Sequence, residues 1–420
     1  MKSFSLTRRR FLQAAGAGAA APYVITSAAL GAADKPPASE RVTGGHIGCG
    51  GRGGSISGRC SGQVVAVCDP WKSHRERFAE RFKCDAYADF RELLARDDID
   101  VVSIASPDHW HVPMTVAAAK AGKDIFCEKP LGVSVEEDRL VRDTVHRYGR
   151  VFQFGTQDRS SARHRRAAEL VRNGKLGQLR EIEVHSRGGP AEQGRKGRAV
   201  APAIAPVAVP EGLDWDLWLG PAPWRPYNGA YARGGFDWYF VYDFSIGFLA
   251  GCGIHPMTQA TWGFDTHLHD PFTVEGTGEV GPDPYDALSV WNARVTFANG
   301  VVLTHKNAPY DYWRFVGSEG WIDSRGAQPE SLLTAELGPD AVRLIESVNH
   351  GKNFTDAVRS RKTTVANIDE AFHADIICQL IDIAVRVGRK ITWDPVKEEI
   401  VGDAEAQRMC CRALREPWRL

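Results

Sequence analysis

"VTGGHIGCGGRGG", residues 42–54, decides the fold, because a short apolar strand candidate at 42–47 leads directly into a glycine-rich loop. Gly48, Gly50 and Gly53 match the spacing GxGxxG. Glycines at this spacing allow a tight turn, close approach of a pyrophosphate to backbone N–H groups, and close packing of a helix on a strand. The loop predicts a dinucleotide site formed by Gly48, Cys49, Gly50, Gly51, Arg52 and Gly53.

The next strand candidate ends in the residue that selects the nucleotide. "QVVAVCD", residues 63–69, is a buried-strand pattern that closes on Asp69. An acid at this place accepts hydrogen bonds from ribose hydroxyls and repels a 2′-phosphate, so the cofactor is expected to be NAD, with NADP disfavoured. A second interpretation stays open, because Asp69 followed by Pro70 also suits the cap of a helix in "PWKSHRERFAERF".

Strand and helix candidates alternate up to residue 155, which predicts a parallel, doubly wound sheet. We expect helices near 71–83, 89–96, 112–122 and 134–148, and strands at 100–106, 124–128 and 151–155. Ligands of such sheets bind outside the carboxyl ends of the strands. Those ends carry "SPDHWH", "EKP" and "GTQDRS".

Taken together, "GCGGRG", "ASPDHWH" and "EKP" resemble the glucose-fructose oxidoreductase, inositol dehydrogenase and rhizopine catabolism family, written Gfo/Idh/MocA. The resemblance continues through "VPEGLDWDLWLGPAPWRPYN", "GSEGW" and "GRKITWDPVKEEIVGD", so it covers nearly everything after residue 41. It implies an α/β chain with an NAD-binding Rossmann domain at 41–160, followed at 161–420 by an α/β domain with a large open antiparallel sheet. Sugars and cyclitols are the usual substrates of that family.

The resemblance also implies roles for individual residues. Lys129 of "EKP" corresponds to the family lysine beside the nicotinamide, where an ammonium stabilises a developing alkoxide and orients the substrate. The positions that correspond to cofactor contacts are Ser106, Pro107, Asp108, His111, Glu128, Lys129 and Gln157. For Asp108 and His111, capping of the helix that follows is the alternative.

The segment "GFLAGCGIHPMTQATWGF", residues 247–264, departs from the family pattern. There an Asp and a His four residues apart often form the proton-relay pair. His255 corresponds to that histidine and is the predicted acid/base, but Gly251 stands at the Asp position and Thr258 replaces another common acid. A base that no carboxylate holds loses tautomer control and basicity. The candidates to replace the acid are Tyr242 and Asp243, and a structural role for His255 is the alternative.

Beyond a helix expected at 160–173, the segments 179–187, 286–297, 300–306 and 313–318 alternate apolar and polar residues, as an antiparallel sheet with one covered face requires. The expected substrate contacts are Lys129, Arg159, Trp224, Arg225, Tyr227 and His255. Aromatic side chains offer flat faces to a sugar ring, although packing in a core is the alternative for each. Residues 188–212 are expected to form an arm, a lid or a plain loop. The segment "THLHD", residues 266–270, is predicted to be a turn that holds no metal.

The amino terminus carries a different signal. "TRRRFLQ", residues 7–13, resembles the twin-arginine export motif and precedes an uncharged run, so residues 1–33 are expected to be a signal peptide. The expected partner is the twin-arginine machinery, and the location is periplasmic or otherwise exported, with no stable membrane insertion after cleavage. That route carries folded proteins, so NAD can be trapped before export and should then be recycled in place. A basic disordered tail and a retained anchor are the alternatives.

Charge and composition exclude several classes of protein. The chain has 52 basic and 52 acidic side chains, which give no field suited to nucleic acid. Hydrophobic content of 43% and charged content of 25% are those of an ordinary globular protein, and the length predicts two domains. The open sheet implied by the family resemblance suggests a homodimer or homotetramer.

Three functions follow from these features. The first is an NAD(H)-dependent oxidoreductase that acts on a secondary hydroxyl of a sugar or cyclitol, with a tightly bound, internally recycled cofactor. The second is a redox-assisted glycoside hydrolase or lyase, in which a transient ketone acidifies the neighbouring C–H. The third, from another class, is a sugar-binding pseudoenzyme that keeps NAD as a structural element.

Overall fold

A parallel six-stranded sheet is formed by the part of the chain before residue 155, in the order β3-β2-β1-β4-β5-β6. The computed structural model describes residues 37, 41–189, 205–229, 231, 237–265, 268–281 and 285–420. The strands are β1 Thr43–Ile47, β2 Gln63–Cys68, β3 Asp85–Tyr87, β4 Val101–Ile104, β5 Asp124–Cys127 and β6 Phe152–Phe154. This arrangement confirms the predicted doubly wound sheet.

Five helices connect these strands: α1 Gly51–Ile56, α2 Lys72–Phe82, α3 Phe90–Leu94, α4 His111–Lys120 and α5 Val135–Arg147. Strands β4 and β5 are buried at every position, since helices cover both faces of a parallel sheet. Helix α5 begins after Ser134, whose hydroxyl accepts the backbone N–H of Glu137. Strand β3 has no signal in the sequence, because "DAY" lacks an apolar run and forms only a short edge strand.

The second sheet has nine strands within the described residues, in the order β13-β12-β11-β7-β10-β9-β8-β14-β15. Its strands are β7 Leu179–Ser186, β8 Phe272–Val280, β9 Leu288–Phe297, β10 Val302–Asn307, β11 Tyr312–Gly317, β12 Gly320–Asp323, β13 Ala327–Gln328, β14 Ile391–Asp394 and β15 Glu399–Ile400. The sheet is largely antiparallel, as expected, but β7 and β10 run parallel. No hairpin joins these two strands, so nothing local dictates opposite directions.

The remaining helices are α6 Ala162–Arg172, α7 Trp215–Leu219, α8 Phe248–Gly251, α9 Ile254–Phe264, α10 His350–Ser360, α11 Ile368–Val387 and α12 Ala404–Arg408. Helix α11 begins after Asn367, whose side chain accepts the backbone N–H groups of Asp369 and Glu370. It packs against α5, α9 and β8, and most of its residues are buried. Because α11 contacts both layers, one continuous core supports both sheets.

Some of the predicted features lie outside the described residues. They include the signal peptide at 1–33, most of the glycine- and proline-rich segment at 188–212, and the first histidine of "THLHD". Among the helices that the structure describes, none combines the length and the apolar character needed to cross a membrane.

Candidate active site

A cavity of about 570 Å³ lies at the carboxyl ends of β1, β2, β4 and β5, and we call it the main cavity. Its walls from the first sheet include Gly48, Gly50, Gly51, Arg52, Asp69, Ser106, Pro107, Asp108, His111, Glu128, Lys129 and Gln157. Its walls from the second part of the chain include Trp218, Tyr231, Trp238, Tyr239 and His255. Most of the predicted cofactor residues and both predicted catalytic residues therefore share one space.

The glycine loop has the shape that a bound pyrophosphate requires. Gly48 has φ +93°, and a Cβ there would lie 2.5 Å from the carbonyl oxygen of Ala105. A Cβ on Gly50 or Gly51 would meet no heavy atom within 4 Å, so their backbone borders open space in the main cavity. Side chains at these two positions would fill the cradle. The residues present therefore fit a dinucleotide.

The Asp69 carboxylate is bound to two backbone N–H groups, and helix α2 begins at Lys72 after Trp71 without a side-chain cap. One of its carboxylate oxygens accepts the backbone N–H of Trp71 at 2.8 Å, and the other accepts that of Cys49 at 2.8 Å. The side chain still lines the main cavity. Cys49 is fully buried and its N–H is already engaged, so the structure places it behind the loop and outside the cavity wall. Gly53 is also behind the wall, where a Cβ would lie 1.9 Å from the carbonyl oxygen of Gly48.

Asp108 and His111 are buried beside the lysine. The Ser245 hydroxyl donates to Asp108 at 2.6 Å, and burial raises the pKa of Asp108 to about 8 although nearby Lys129 opposes this shift. The ring nitrogens of His111 lie 2.6 Å from the Pro130 carbonyl oxygen and 3.0 Å from that of Ser106. Burial lowers the pKa of His111 to about 4. His111 therefore ties the loop after β4 to the segment that carries Lys129.

A carboxylate after β5 organises the neighbouring wall. Glu128 is buried, and one of its oxygens lies 2.7 Å from the Arg52 guanidinium and accepts the Gln157 amide at 3.3 Å. The other oxygen of Glu128 has no hydrogen-bond partner among the described residues. Glu128 thus links the glycine loop, the end of β5 and the turn after β6.

Lys129 follows β5 and reaches across to the second part of the chain. Its ammonium donates to the Gly251 carbonyl oxygen at 2.7 Å and to the Tyr239 hydroxyl at 3.2 Å. Burial opposes the charge, but Tyr239, Cys252, Asp108 and Glu128 together raise the pKa of Lys129 above its usual value. The side chain is partly buried and lines the main cavity as a fixed cation.

His255 lies in the first turn of α9 and faces an acid that the sequence analysis did not assign. Its Nδ1 is 3.4 Å from an Asp158 carboxylate oxygen. Asp158 belongs to a short 3₁₀ turn, Gln157–Ser160, that follows β6. The contact with His255 holds the pKa of Asp158 below its usual value. The motif "GTQDRS" contained this acid, but 97 residues separate it from His255, so no local spacing indicated the pair.

The structure also shows what occupies the position of the family acid. A Cβ on Gly251 would lie 2.8 Å from the Tyr239 ring, so this aromatic side chain fills the space next to the glycine. The two substitutes suggested by the sequence are elsewhere. Asp243 pairs with Arg225, and the Tyr242 ring lies against the guanidinium groups of Arg386 and Arg412.

Four predicted substrate residues do not line the main cavity. Arg159 is buried, pairs with Glu370 at 3.1 Å and stacks on Trp262. Tyr227 is buried against Trp215, as the packing alternative required. The remaining pair also points elsewhere, because Arg225 is held by Asp243 and the Trp224 side chain is 65% exposed at the surface. Neighbouring Trp218, Trp238 and Tyr239 supply the aromatic walls of the main cavity.

No cluster of three or more histidine, cysteine or acidic side chains suited to a metal ion occurs in the described part of the chain. The histidines of the site instead face carbonyl oxygens or a carboxylate. Lys129, Tyr239 and His255 thus border the main cavity together, with Asp158 beside His255.

Two family models match the chain. The model described as the NAD-binding Rossmann fold of an oxidoreductase family matches residues 46–156. The model described as the C-terminal alpha/beta domain of the oxidoreductase family matches residues 163–420, which is more than half of the chain. The two matches leave out residues 157–162, which include the 3₁₀ turn that carries Asp158.

The names of two similar curated proteins refer to an amino sugar and to a sialic acid derivative. An alpha-N-acetylgalactosaminidase of Shewanella oneidensis is 32% identical over 204 residues, which cover 42% of this chain and 44% of that protein. A 2,7-anhydro-N-acetylneuraminate hydratase of Mediterraneibacter gnavus is 33% identical over 133 residues, 31% of this chain and 34% of that protein. The chain thus spans less than half the length of these curated relatives.

The fold is shared with the WlbA dehydrogenase of Bordetella pertussis, whose crystal structure contains NADH and UDP-GlcNAcA. The TM-score is 0.62 at 13% identity, and the match covers 83% of this chain and 98% of that chain. At this identity the likeness is one of fold.

The open cradle beside Gly50 gives a direct test of the cofactor site. Gly50 has φ −77°, which any residue adopts, so Gly50→Val should fold normally while its side chain occupies the cradle. We expect affinity for NADH to fall at least about tenfold, as measured by calorimetry on protein stripped of nucleotide. The matched control is Gly338→Val on an exposed loop, where a Cβ also meets nothing within 4 Å. Equal binding by the two variants would contradict the assignment.

Proposed function

Because the chain belongs to the Gfo/Idh/MocA oxidoreductase family, we propose that it is an NAD-dependent enzyme that oxidises or reduces a secondary hydroxyl of a sugar or cyclitol. The observation that carries this proposal is the position of Lys129. Its ammonium is held by Gly251 and Tyr239 in the same cavity as the glycine loop and His255. NAD, when bound, supplies the hydride acceptor.

Lys129 binds the reacting oxygen of the substrate. Its contacts with the Gly251 carbonyl and the Tyr239 hydroxyl fix the ammonium before substrate arrives. A fixed cation in a partly buried site stabilises negative charge that develops on the oxygen and needs little reorganisation to do so. Burial raises the pKa of Tyr239, so its hydroxyl stays neutral and holds Lys129 by accepting a hydrogen bond from the ammonium. The lysine and the phenol together orient the hydroxyl that reacts.

His255 takes up or returns the proton of that hydroxyl. The Asp158 carboxylate, 3.4 Å from Nδ1, would favour a proton on that nitrogen and leave Nε2 as the basic one. Asp158 thereby supplies the tautomer control that the Asp of the family pattern supplies elsewhere. Asp158 acts through His255 and is a positioning residue.

The nucleotide is proposed to be NAD rather than NADP, because Asp69 places a carboxylate in the main cavity where a 2′-phosphate would be repelled.

We further propose export by the twin-arginine pathway, on the strength of "TRRRFLQ", and recycling of a bound cofactor in place. A homodimer or homotetramer is proposed from the family resemblance. Cell fractionation would test the proposed export, and the molecular mass in solution would test the proposed oligomer.

Redox-assisted cleavage of a glycoside is the second candidate, and the names of the curated relatives favour it. In this reaction a bound NAD would supply the redox chemistry that interconverts a ring hydroxyl and a ketone. With the ketone in place, a base removes the proton from the adjacent carbon, and the glycosidic oxygen leaves with its electron pair. Water adds to the resulting double bond, and reduction of the ketone restores the hydroxyl, so the reaction has no net change of oxidation state. His255 is the group in the main cavity that is placed to remove the carbon-bound proton.

Replacement of Lys129 tests the central assignment. In Lys129→Met the side chain keeps its length and loses its charge, so kcat should fall at least about a hundredfold while NAD stays bound. The measurements are absorbance at 340 nm across a sugar panel and identification of the nucleotide released on denaturation. Lys120→Met, at the exposed end of α4, is the matched control and should behave as wild type. Undiminished turnover in Lys129→Met would refute the role, and bound NAD without any redox change would favour a sugar-binding pseudoenzyme.

Substitution of Asp158 tests the proton relay. Asp158→Asn should lower kcat about tenfold or more with little change in KM, because the imidazole loses the carboxylate that orients it. Asp158→Glu should restore part of the lost activity, a rescue that a purely structural role would not give. Asp340→Asn, at an exposed position, serves as the matched control. A shared loss of activity and stability in both Asp158 variants would assign this acid to folding.

Deuterium labelling separates the two candidate reactions. Glycoside cleavage carried out in D₂O should introduce deuterium at the carbon next to the oxidised one, without net formation of NADH. Mass spectrometry of the released sugar measures the label. Simple dehydrogenation would give NADH and an unlabelled ketone, and cleavage without label would rule out the elimination route.

A further inference from the structure

A second cavity of about 310 Å³ adjoins the proton relay. We call it the side cavity, and its walls include Asp158, His164, Arg187, His255, Asp311 and Trp313. His255 lines both this space and the main cavity. A volume of this size lies at the lower end of the range for small-molecule sites, about 300–1,000 Å³. A ligand part held here would therefore lie against the imidazole that serves the reacting ring.

In the side cavity, the Arg187 guanidinium and the His255 imidazole each lie beside a carboxylate. Arg187 is bound to Asp311 at 2.6 Å, and both side chains are about 30% exposed. His255 faces Asp158, whose side chain is 52% exposed. The remaining base, His164, has its pKa lowered by burial and is held neutral at pH 7. Among the described residues that line the side cavity, Arg187 and His255 each have a carboxylate beside them, and His164 is neutral.

This balance favours an uncharged ligand with many hydroxyls. A diphosphate or a carboxylate would meet two carboxylates, Asp158 and Asp311, and one arginine that Asp311 already neutralises, so its charge would not be compensated. Hydroxyls can donate to the Asp311 and Asp158 carboxylates without displacing Arg187 or His255 from them. The buried indole of Trp313, packed edge-on with His164, closes the apolar side of the same space. Planar polar groups beside an aromatic wall suit a sugar ring.

We infer that the side cavity binds a second, uncharged sugar unit, so that the substrate is a neutral glycoside of at least two rings. The reacting ring would lie in the main cavity between Lys129 and His255, and its neighbour would lie against Arg187 and Asp311. This inference rests on the proposed sugar chemistry and narrows it. It disfavours free cyclitols, which have one ring, and nucleotide sugars, which bring a diphosphate.

The test compares substrates that share a reacting ring. The probes are three sets: methyl glucoside, cellobiose and UDP-glucose; methyl galactoside, lactose and UDP-galactose; methyl N-acetylglucosaminide, chitobiose and UDP-N-acetylglucosamine. The NAD-loaded protein should show, in at least one set, a kcat/KM for the disaccharide about tenfold or more above that for the methyl glycoside. The UDP-sugar should be no better than the methyl glycoside. A disaccharide advantage below about twofold in every active set, or preference for a UDP-sugar, would overturn the inference.

A blocking variant localises the effect. Ser324 also borders the side cavity, and Ser324→Tyr should lower the disaccharide-to-methyl-glycoside ratio of kcat/KM at least about fivefold. Ser331→Tyr, at an exposed position outside both cavities, is the matched control and should keep the wild-type ratio. An unchanged ratio in Ser324→Tyr would overturn the assignment of the second ring to this space.

Calorimetry distinguishes failure of this inference from failure of the proposed function. Disaccharide binding to the Lys129→Met protein, which does not depend on turnover, should weaken about tenfold when Ser324→Tyr is added. If no probe changes the cofactor signal but this binding difference is present, the redox proposal fails and the side cavity remains a sugar site. If turnover occurs but Ser324→Tyr leaves binding unchanged, the side-cavity inference fails alone.

Discussion

The site depends on keeping one cation fixed in a partly buried cleft. The Lys129 ammonium needs oxygen partners because burial alone would disfavour its charge. The Gly251 carbonyl and the Tyr239 hydroxyl provide them, and both belong to the second part of the chain. The parallel sheet brings the end of β5 to the cavity, and α11 packs against both layers behind it. The catalytic geometry therefore requires both layers at once.

In the proposed proton relay, the acid does not come from position 251, which is a glycine. An acid at position 251 would conflict with the Tyr239 ring, since even a Cβ there would lie 2.8 Å from it. The tyrosine that helps to hold Lys129 thus fills the space next to Gly251. The carboxylate instead comes from Asp158, in the turn after β6. As a result, His255 and the carboxylate that faces it come from different parts of the chain, so the proposed relay requires both.

Much of the first sheet and its loops was predictable from local patterns. Strand and helix positions agree within a few residues, because fully buried strands such as "VVSI" and glycine-rich turns have short-range signals. Helix α11 was not predicted although it holds the two layers together. It is buried around most of its circumference, so its sequence lacks a clear polar face. Short strands such as β13 depend on pairing with a neighbour and have no signal of their own.

The sequence by itself determined the dinucleotide loop and the carboxyl-end motifs, because these depend on residue types at fixed short spacings, and the family resemblance singled out Lys129 and His255. Only the tertiary structure decided which carboxylate faces His255, since residues 158 and 255 meet through the packing of separate elements. It also removed Arg159 from the substrate candidates, because Glu370 and Trp262 bury its guanidinium. The spacing of residues along a chain determines local backbone geometry. The partners of a charged side chain are instead the groups that tertiary packing places within a few ångströms of it.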